Sequence, residues 1–475
     1  MRLGELLSEV AVLENRADTN AEITGVYNDS RKVKPGGLFV AVSGDKTDGH
    51  RFIKDAINNG ACAVICERPP ERGIPFALVG DSRAALFPLA AKFMGNPSRR
   101  MVMTGVTGTN GKTTVTHLIY GLLKAAGKRP ALIGTNHVLY ADKTLPAERT
   151  TPDAAELHTL FRDMADAGCT HCVMEVSSHA LEQSRAAGIG FEVGVFTNLT
   201  QDHLDYHKNM ENYFLAKTKL FKQCKYSIVN IDDNYGKRLE KEDIYSYAVN
   251  ARANLRARDI KIAADGVSIT LDAEGERCET RWGTPGLFSV YNVLAAAAAA
   301  LKLGLSLSAI ARCLPNIPPV SGRMETVPVK ADFGVIIDYA HTPDALENVL
   351  GTVRGFTAGR VIAVFGCGGD RDAEKRPLMG AIAARLGDIC VVTSDNPRGE
   401  DPEKIIRDIL SGMPDASPVV EPDRRAALHK ALGLAQKGDI VVICGKGHEM
   451  YQEIGGVKYP MDEREIVASY FKTKC

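Results

Sequence analysis

Tryptophan occurs once in 475 residues, aromatic residues make up only 6%, and charge of neither sign prevails, with 58 lysines and arginines against 58 aspartates and glutamates. Without a net field the chain is not drawn to nucleic acid or to an anionic membrane, so an anionic substrate must be caught by local groups. No apolar run is long enough to span a bilayer, and the opening MRLGELLSEV lacks a basic segment followed by an apolar one. The expectation is a cytoplasmic monomer with no nucleic-acid partner and no membrane insertion. Cysteine supplies no metal framework: of 11 cysteines only Cys169 and Cys172 make a CxxC pair, with no second pair or His-x-x-x-His to complete a zinc site. Both fall in CTHCVMEV, where an apolar strand begins, and read as reduced structural thiols.

What is present is the composition of an ordinary soluble globular chain, 45% hydrophobic and 24% charged. The length suits about three domains at roughly 100–200 residues each. Up to Asn96, short strands such as LFVAVSG mix with helical stretches such as AALFPLAAKFMG, and Asn96-Pro97-Ser98 then punctuates the chain. From Arg99, apolar runs (MVMTGV, PALIGT, CVMEV, GVFTNLT, YSIVNID) alternate with helical stretches such as VTHLIYGLLKAAG, the pattern of stacked βαβ units with a parallel sheet. The helix former YNVLAAAAAALKLG, which Tyr291-Asn292 would open, precedes a proline-rich second boundary, NIPPVSG at 316–322. Beyond it RVIAVFG, ICVVTSD and DIVVICG each run into polar residues, as in a second doubly wound sheet whose ligands bind outside the carboxyl ends of the strands. The expected fold class is α/β in three domains. A small mixed α/β domain would span 1–97, a central P-loop domain with a mainly parallel sheet 98–321, and a Rossmann-like domain 322–475.

The strongest local signal is MVMTGVTGTNGKTTVTHLI, where a strand runs into a glycine-rich loop and Gly111-Lys112-Thr113-Thr114 opens a helix. Glycines let backbone amides turn toward phosphate oxygens, the helix N-terminus adds positive potential, Lys112 neutralises the outer phosphates, and a threonine hydroxyl can ligate magnesium. A strict GxxxxGKS or GxxxxGKT motif would place glycine at 106, where this chain has Val106; Gly105 and Gly108 are the glycines available. The ligand expected is ATP or GTP. A nucleotide loop alone fits a kinase, a nucleotide switch or a ligase.

Four further patches accompany TGTNGKTT: MEVSSH (174–179), TNLTQDHLDYH (197–207), YFLAKTKLF (213–221) and DYAHTPD (338–344). Together they resemble the Mur ligase family, ATP-dependent amide-forming enzymes of peptidoglycan precursor synthesis related to folylpolyglutamate synthetases, and the resemblance extends over essentially the whole chain. By that resemblance Gly108, Thr109, Asn110, Gly111, Lys112, Thr113 and Thr114, with Asn292, Arg323, Asp338 and His341, line the ATP site. Glu175 and His203, each after an apolar strand, would hold Mg2+ with Thr113. His203, Lys112 and Lys217 would be the catalytic set, Lys217 joining the magnesium ligands if carbamylated. On its own, Lys217 reads as a solvated charge on a helix, and His203 as an ordinary loop histidine. The family's asparagine near the start of LFSVYN is replaced here by Ser289.

The segment YNDSRKVKPGGLFVAVSGDKTDGHRF resembles the uridine-diphosphate-sugar domain of the family's diaminopimelate- or lysine-adding branch, which makes Ser30, Arg31, Thr47 and Asp48 candidates. Thr150, Thr151, Ser177, Gln183 and Arg185 match positions that hold the muramoyl dipeptide in that branch. Arg371, Asp395, Asn396, Pro397, Arg398, Gly445 and Glu449 match positions that hold the amino acid. Meso-diaminopimelate is favoured over lysine, because its second carboxylate can be gripped bidentately by Arg398 of the DNPR motif. The acceptor would be UDP-N-acetylmuramoyl-L-alanyl-D-glutamate, activated at its D-glutamate side-chain carboxylate as an acyl phosphate. The alternatives are the lysine-adding ligase, a ligase extending an acceptor such as folate, and a P-loop kinase or nucleotide switch.

Overall fold

In the computed structural model, which describes residues 1–44, 47–147, 149–239, 243–263 and 265–472, the apolar runs of the sequence are strands and the alanine- and leucine-rich stretches between them are helices. The chain falls into two compact units. One comprises residues 1–107, 127–194 and 216–227, the other 108–126, 195–215 and 228–475.

The first unit opens with five short strands, β1 (Val12–Asn15), β2 (Val26–Tyr27), β3 (Gly37–Val40), β4 (Ala61–Cys66) and β5 (Phe76–Val79), in the order β1-β5-β4-β3-β2. All neighbours are parallel except β1, which runs antiparallel to β5. It also holds β6 (Val102–Thr107), β7 (Pro130–Ile133), β8 (His137–Tyr140), β9 (Lys143–Pro146) and β10 (His171–Glu175), ordered β6-β10-β7-β8-β9. Strand β10 is buried at every position and parallel to both β6 and β7, so it reads as a continuous apolar run. The antiparallel turnback of β8 and β9 was not expected from the sequence, where short, half-exposed strands leave little apolar pattern. Cys169 and Cys172 are buried free thiols, and burial pushes the Cys172 thiol far above its ordinary range, which disfavours a thiolate there.

Strands β11 (Phe191–Phe196) and β12 (Cys224–Asn230) run from the first unit into the second. The second unit continues with β13 (Ile244–Ala248), β14 (Leu255–Ala263), β15 (Gly266–Ala273) and β16 (Glu276–Trp282); β13 pairs parallel with β14, and the last three form an antiparallel meander. The mainly parallel sheet expected for the central region thus carries antiparallel additions. Helix Leu287–Lys302 carries the alanine run, and Ala295 to Ala300 are all fully buried, small side chains letting it pack tightly on the helix Lys112–Ala125. It begins at Leu287, directly after Gly286 with φ of 103°, and not at Tyr291-Asn292, so Asn292 lies in its second turn.

The C-terminal sheet comprises β17 (Glu325–Thr326), β18 (Gly334–Asp338), β19 (Val361–Phe365), β20 (Ile389–Val392), β21 (Val419–Val420) and β22 (Ile440–Cys444), ordered β17-β18-β22-β19-β20-β21 and parallel except for β17. Alternate residues feed two separate cores. Ile336, Ala363, Phe365 and Val442 face one, and Val335, Ile337, Ile362, Val364 and Val441 face the other, as a doubly wound sheet requires. Its carboxyl ends carry DYAH, GCGGDRD, SDNPR and CGKGHE, and a hairpin, β23 (Tyr451–Ile454) and β24 (Val457–Pro460), follows the last. Among the described residues no helix is long and apolar enough to cross a membrane.

Candidate functional site

The loop after β6 is shaped by two glycines with positive φ, Gly108 at 147° and Gly111 at 86°. A side chain at Gly108 would collide with the Thr197 hydroxyl, and one at Gly111 with the Asn292 side-chain oxygen, so close packing as well as conformation demands glycine at both. Asn198 braces the loop: its backbone oxygen accepts from Thr109 N–H at 2.9 Å and its side-chain oxygen from Asn110 N–H at 2.9 Å. Thr197 Oγ1 donates to Asn110 O at 2.6 Å, and Asn110 Nδ2 donates to Asp344 Oδ2 at 2.6 Å. Lys112 opens the 14-residue helix and curls its ammonium back onto the Gly108 and Thr109 carbonyls, at 2.9 and 2.8 Å. A cation and the amides of a helix start thus share one loop, the arrangement that binds phosphate.

Arg323 reaches the same loop, donating to Thr113 Oγ1 at 3.1 Å while its guanidinium lies 4.6 Å from the Tyr339 ring centre. Asp338 is buried and accepts the Met324 and Ala340 amides, each at 2.7 Å, one on each carboxylate oxygen. It therefore secures the turn that carries Arg323. His341 Nδ1 lies 2.9 Å from the Tyr339 carbonyl. Burial, aided by Lys375 and opposed by Asp202, lowers its pKa to about 4, so the ring is neutral near pH 7. His203 adopts a left-handed backbone (φ 56°) before the short helix Leu204–His207, with Nε2 3.4 Å from Asp202 Oδ2. Burial alone would raise the Asp202 carboxyl, but His203, Lys375, His341 and Lys112 together hold it well below the usual carboxylate range. The sequence reading missed Asp202, Asp344 and the buried Lys375, although Asp202 stands beside His203 and Asp344 closes the DYAHTPD patch.

In the first unit the structure gathers Thr150, Thr151, Ser177, Gln183 and Arg185 around Glu175. Glu175 is fully buried and accepts from Thr135 N–H at 2.8 Å and Thr135 Oγ1 at 3.0 Å. Thr150 and Thr135 share a hydroxyl contact at 3.1 Å. Thr151 Oγ1 donates to Glu175 O at 2.9 Å and accepts from Ser177 N–H at 3.1 Å. Arg185 donates to Thr151 O at 3.2 Å, meets Asp153 at 3.2 Å, and is bonded to the Gln183 side-chain oxygen. Lys217 contradicts its reading as a solvated charge: it is 1% exposed, on the buried stripe Tyr213, Ala216, Lys217 and Leu220 of Met210–Thr218 and the turn after it.

Ser30 is buried, whereas Arg31 is exposed and tied bidentately to Asp29 at 2.9 and 2.8 Å. Thr47 is exposed. Asp48 holds His50 Nδ1 at 2.7 Å and bonds Arg68; burial pushes its carboxyl up, but the His50 amide, the His50 ring and Arg68 outweigh that and bring it to about 2. Among the described residues no three His, Cys, Asp or Glu side chains gather into a cage that could hold a metal ion.

The amino-acid candidates converge at the ends of β19, β20 and β22. Asn396 Nδ2 donates to Glu449 Oε2 at 2.8 Å, and fully buried Lys446 donates to Asn396 Oδ1 at 2.9 Å and Glu449 Oε2 at 3.0 Å. Asp395 is buried with Oδ2 unpartnered, facing Gly445, whose φ of 117° and lack of a side chain leave room for that oxygen. Arg371 is exposed on the loop after β19, which pairs with the DNPR turn through Gly369 N–H to Asn396 O at 2.9 Å. Pro397 O accepts the Glu400 amide at 3.0 Å, and Arg398 Nη1 donates to Gly369 O at 2.9 Å.

Residues 22–83 match the family described as Mur ligase family, catalytic domain; residues 106–300 the Mur ligase middle domain; and residues 322–447 the Mur ligase, glutamate ligase domain. A UDP-N-acetylmuramoyl-L-alanyl-D-glutamate--2,6-diaminopimelate ligase of Clostridium acetobutylicum is 44% identical over 99% of both chains, and the ligase of that name from Geobacillus thermodenitrificans is 44% identical over 100% of both. A solved structure of a ligase of the same name, 34% identical, superposes with a TM-score of 0.71 over 100% of this chain and 99% of the other. A MurF ligase from Thermotoga maritima in complex with ADP, 21% identical, shares the fold with a TM-score of 0.64 over 95% of this chain and 97% of the other.

Proposed function

The chain belongs to the Mur ligase family, and on that premise we propose that it is the ATP-dependent amide ligase that adds meso-diaminopimelate to UDP-N-acetylmuramoyl-L-alanyl-D-glutamate in peptidoglycan precursor synthesis, acting as a cytoplasmic monomer. The observation that carries this reading is the likeness, over nearly the whole length, to ligases named for that reaction. The cluster built from Arg371, Asp395 to Arg398, Gly445 and Glu449 agrees with it, joining a guanidinium for a carboxylate to a carboxylate for an ammonium group. In this scheme residues 1–97 serve the uridine-diphosphate sugar through Ser30, Arg31, Thr47 and Asp48, residues 98–321 serve ATP, and residues 322–475 serve the amino acid.

The chemistry follows from the groups. A carboxylate is a poor acyl donor because its oxygen leaves badly, so the D-glutamate side chain must first attack the γ-phosphate of ATP, releasing ADP and leaving an acyl phosphate. The amine of diaminopimelate then attacks the acyl carbon, and phosphate departs with the C–O bond electrons. Lys112, whose ammonium already sits over the loop carbonyls, shifts onto the phosphates and offsets the charge of two approaching anions. Arg323 adds a second cation beside Thr113. Thr150, Thr151, Ser177, Gln183 and Arg185 supply donors for the acceptor's oxygens.

Thr113, Glu175 and His203 would hold magnesium, a hydroxyl, a carboxylate and an imidazole being donor types such an ion accepts. Lys217, buried in this structure, can join only as a carbamate, because an ammonium repels a cation whereas a carbamate carries the negative charge and oxygens that suit one. When bound, the ion would neutralise phosphate charge. The test is phosphate release by the purified protein with ATP, each substrate omitted in turn. Release that needs both the acceptor and an amino acid supports a ligase; release indifferent to amino acid would indicate a kinase or nucleotide switch.

A further inference from the structure

Arg398 does not present its guanidinium unaided. Its backbone has a left-handed φ of 53°, a conformation that side-chain-bearing residues avoid, and the hairpin β23–β24 holds it there. Arg398 N–H donates to Glu453 O at 3.0 Å, Gly455 N–H donates to Arg398 O at 2.7 Å, and Arg398 and Ile454 form a parallel bridge. The same hairpin seizes the rest of the DNPR turn, with Glu453 N–H on Asn396 Oδ1 at 2.9 Å and Gln452 Nε2 on Asp395 O at 2.7 Å.

The guanidinium is held as firmly as the backbone. Nη1 donates to Gly369 O at 2.9 Å, and Nε lies 3.4 Å from Glu453 Oε2. A side chain at Gly368 would stand 2.8 Å from Nη1, so glycine there keeps the space open. Gly369 O takes one N–H on Nη1 and the Glu453 carboxylate stands as an ion-pair partner beside Nε, leaving the guanidinium edge that carries Nη2 open to a carboxylate. We propose that Glu453 is a positioning residue for amino-acid selection, fixing Arg398 so that this open edge meets the distal carboxylate of the substrate. The inference rests on the diaminopimelate reading above. A competing role, in which Glu453 blocks the edge, fits the geometry less well. Its backbone N–H and carbonyl are both tied to the DNPR turn, and its carboxylate approaches Nε, away from the fork. A side chain fixed before binding loses less freedom on binding, so the benefit should appear in affinity.

The test uses the full-length protein and its Glu453→Ala and Glu453→Gln variants, with KM measured for meso-diaminopimelate, L-lysine and ATP, and Tm alongside. Glu453→Ala should raise KM for meso-diaminopimelate about tenfold while KM for ATP and kcat/KM for lysine stay level, because lysine brings no distal carboxylate. Glu453→Gln, which keeps an acceptor oxygen, should lie nearer the parent. A merely structural role would depress both amino acids alike, which overturns the proposal. An unchanged or lowered KM for diaminopimelate in Glu453→Ala overturns it too. A parent protein that makes no product with diaminopimelate removes the reading beneath it as well, and is separated from the other failures by needing no variant to see.

Discussion

His158 lies fully buried between Phe87 and Phe161, ring centres 4.3 and 5.8 Å away, with neither ring nitrogen hydrogen-bonded. Burial lowers its pKa to about 4, against about 6.5 in an unfolded chain. The folded state therefore binds this proton more weakly than the unfolded one. Above about pH 6.5 the group leaves stability untouched; as pH falls toward 4 stability is lost, by about 3 kcal/mol once both states are below their pKa values. Urea midpoints at pH 7.5 and pH 5 should differ more for the parent than for His158→Leu, and an equal drop in both would place the acid sensitivity elsewhere. Lys217 shows what could be read from sequence at this scale. Helical spacing from Tyr213 and Leu220 places it on an apolar face, so its burial was available from periodicity, whereas general habit assigns lysine to solvent. Asp202, Lys375 and Lys446 were not available in that way, since each acts through groups brought near only by the fold.

Among the elements, the long strands were legible because burial on both faces makes them continuous apolar runs, as in β10, β19 and β22. The hairpin β8–β9, the meander β14–β16 and the hairpin β23–β24 were not, because half-exposed strands keep no such run. One of them, β23–β24, holds the DNPR turn, so the sequence showed the motif and hid its support. A second support joins the starts of helices Arg424–Leu434 and Glu463–Lys472, where Arg424 and Glu463 form an ion pair at 2.7 Å with neither side chain exposed. Arg424 also donates to Ser394 O at 3.0 Å and Cys444 O at 2.8 Å, the residues just before Asp395 and Gly445. Removing one partner leaves a buried charge uncompensated, so Arg424→Met should cost about 3–5 kcal/mol. The double variant Arg424→Met with Glu463→Met should recover much of that by urea unfolding; equal losses in single and double variants would mean the pair is not coupled.

At the scale of the whole molecule, the acceptor candidates Thr150 to Arg185 lie in the first unit, and the phosphate-loop and amino-acid candidates in the second, each set held by its own hydrogen bonds. The nucleotide loop was plain in the sequence because glycine, lysine and threonine at fixed spacing leave few other uses, and the family because four further patches accompany that loop. The choice of amino acid rested on one arginine, which the structure shows bonded to Gly369 O and beside the Glu453 carboxylate. That choice is the central claim. The most direct measurement is a single reaction containing ATP, UDP-N-acetylmuramoyl-L-alanyl-D-glutamate and equal meso-diaminopimelate and L-lysine, with the product identified by mass. The account predicts that nearly all product carries diaminopimelate; product carrying mainly lysine would contradict it.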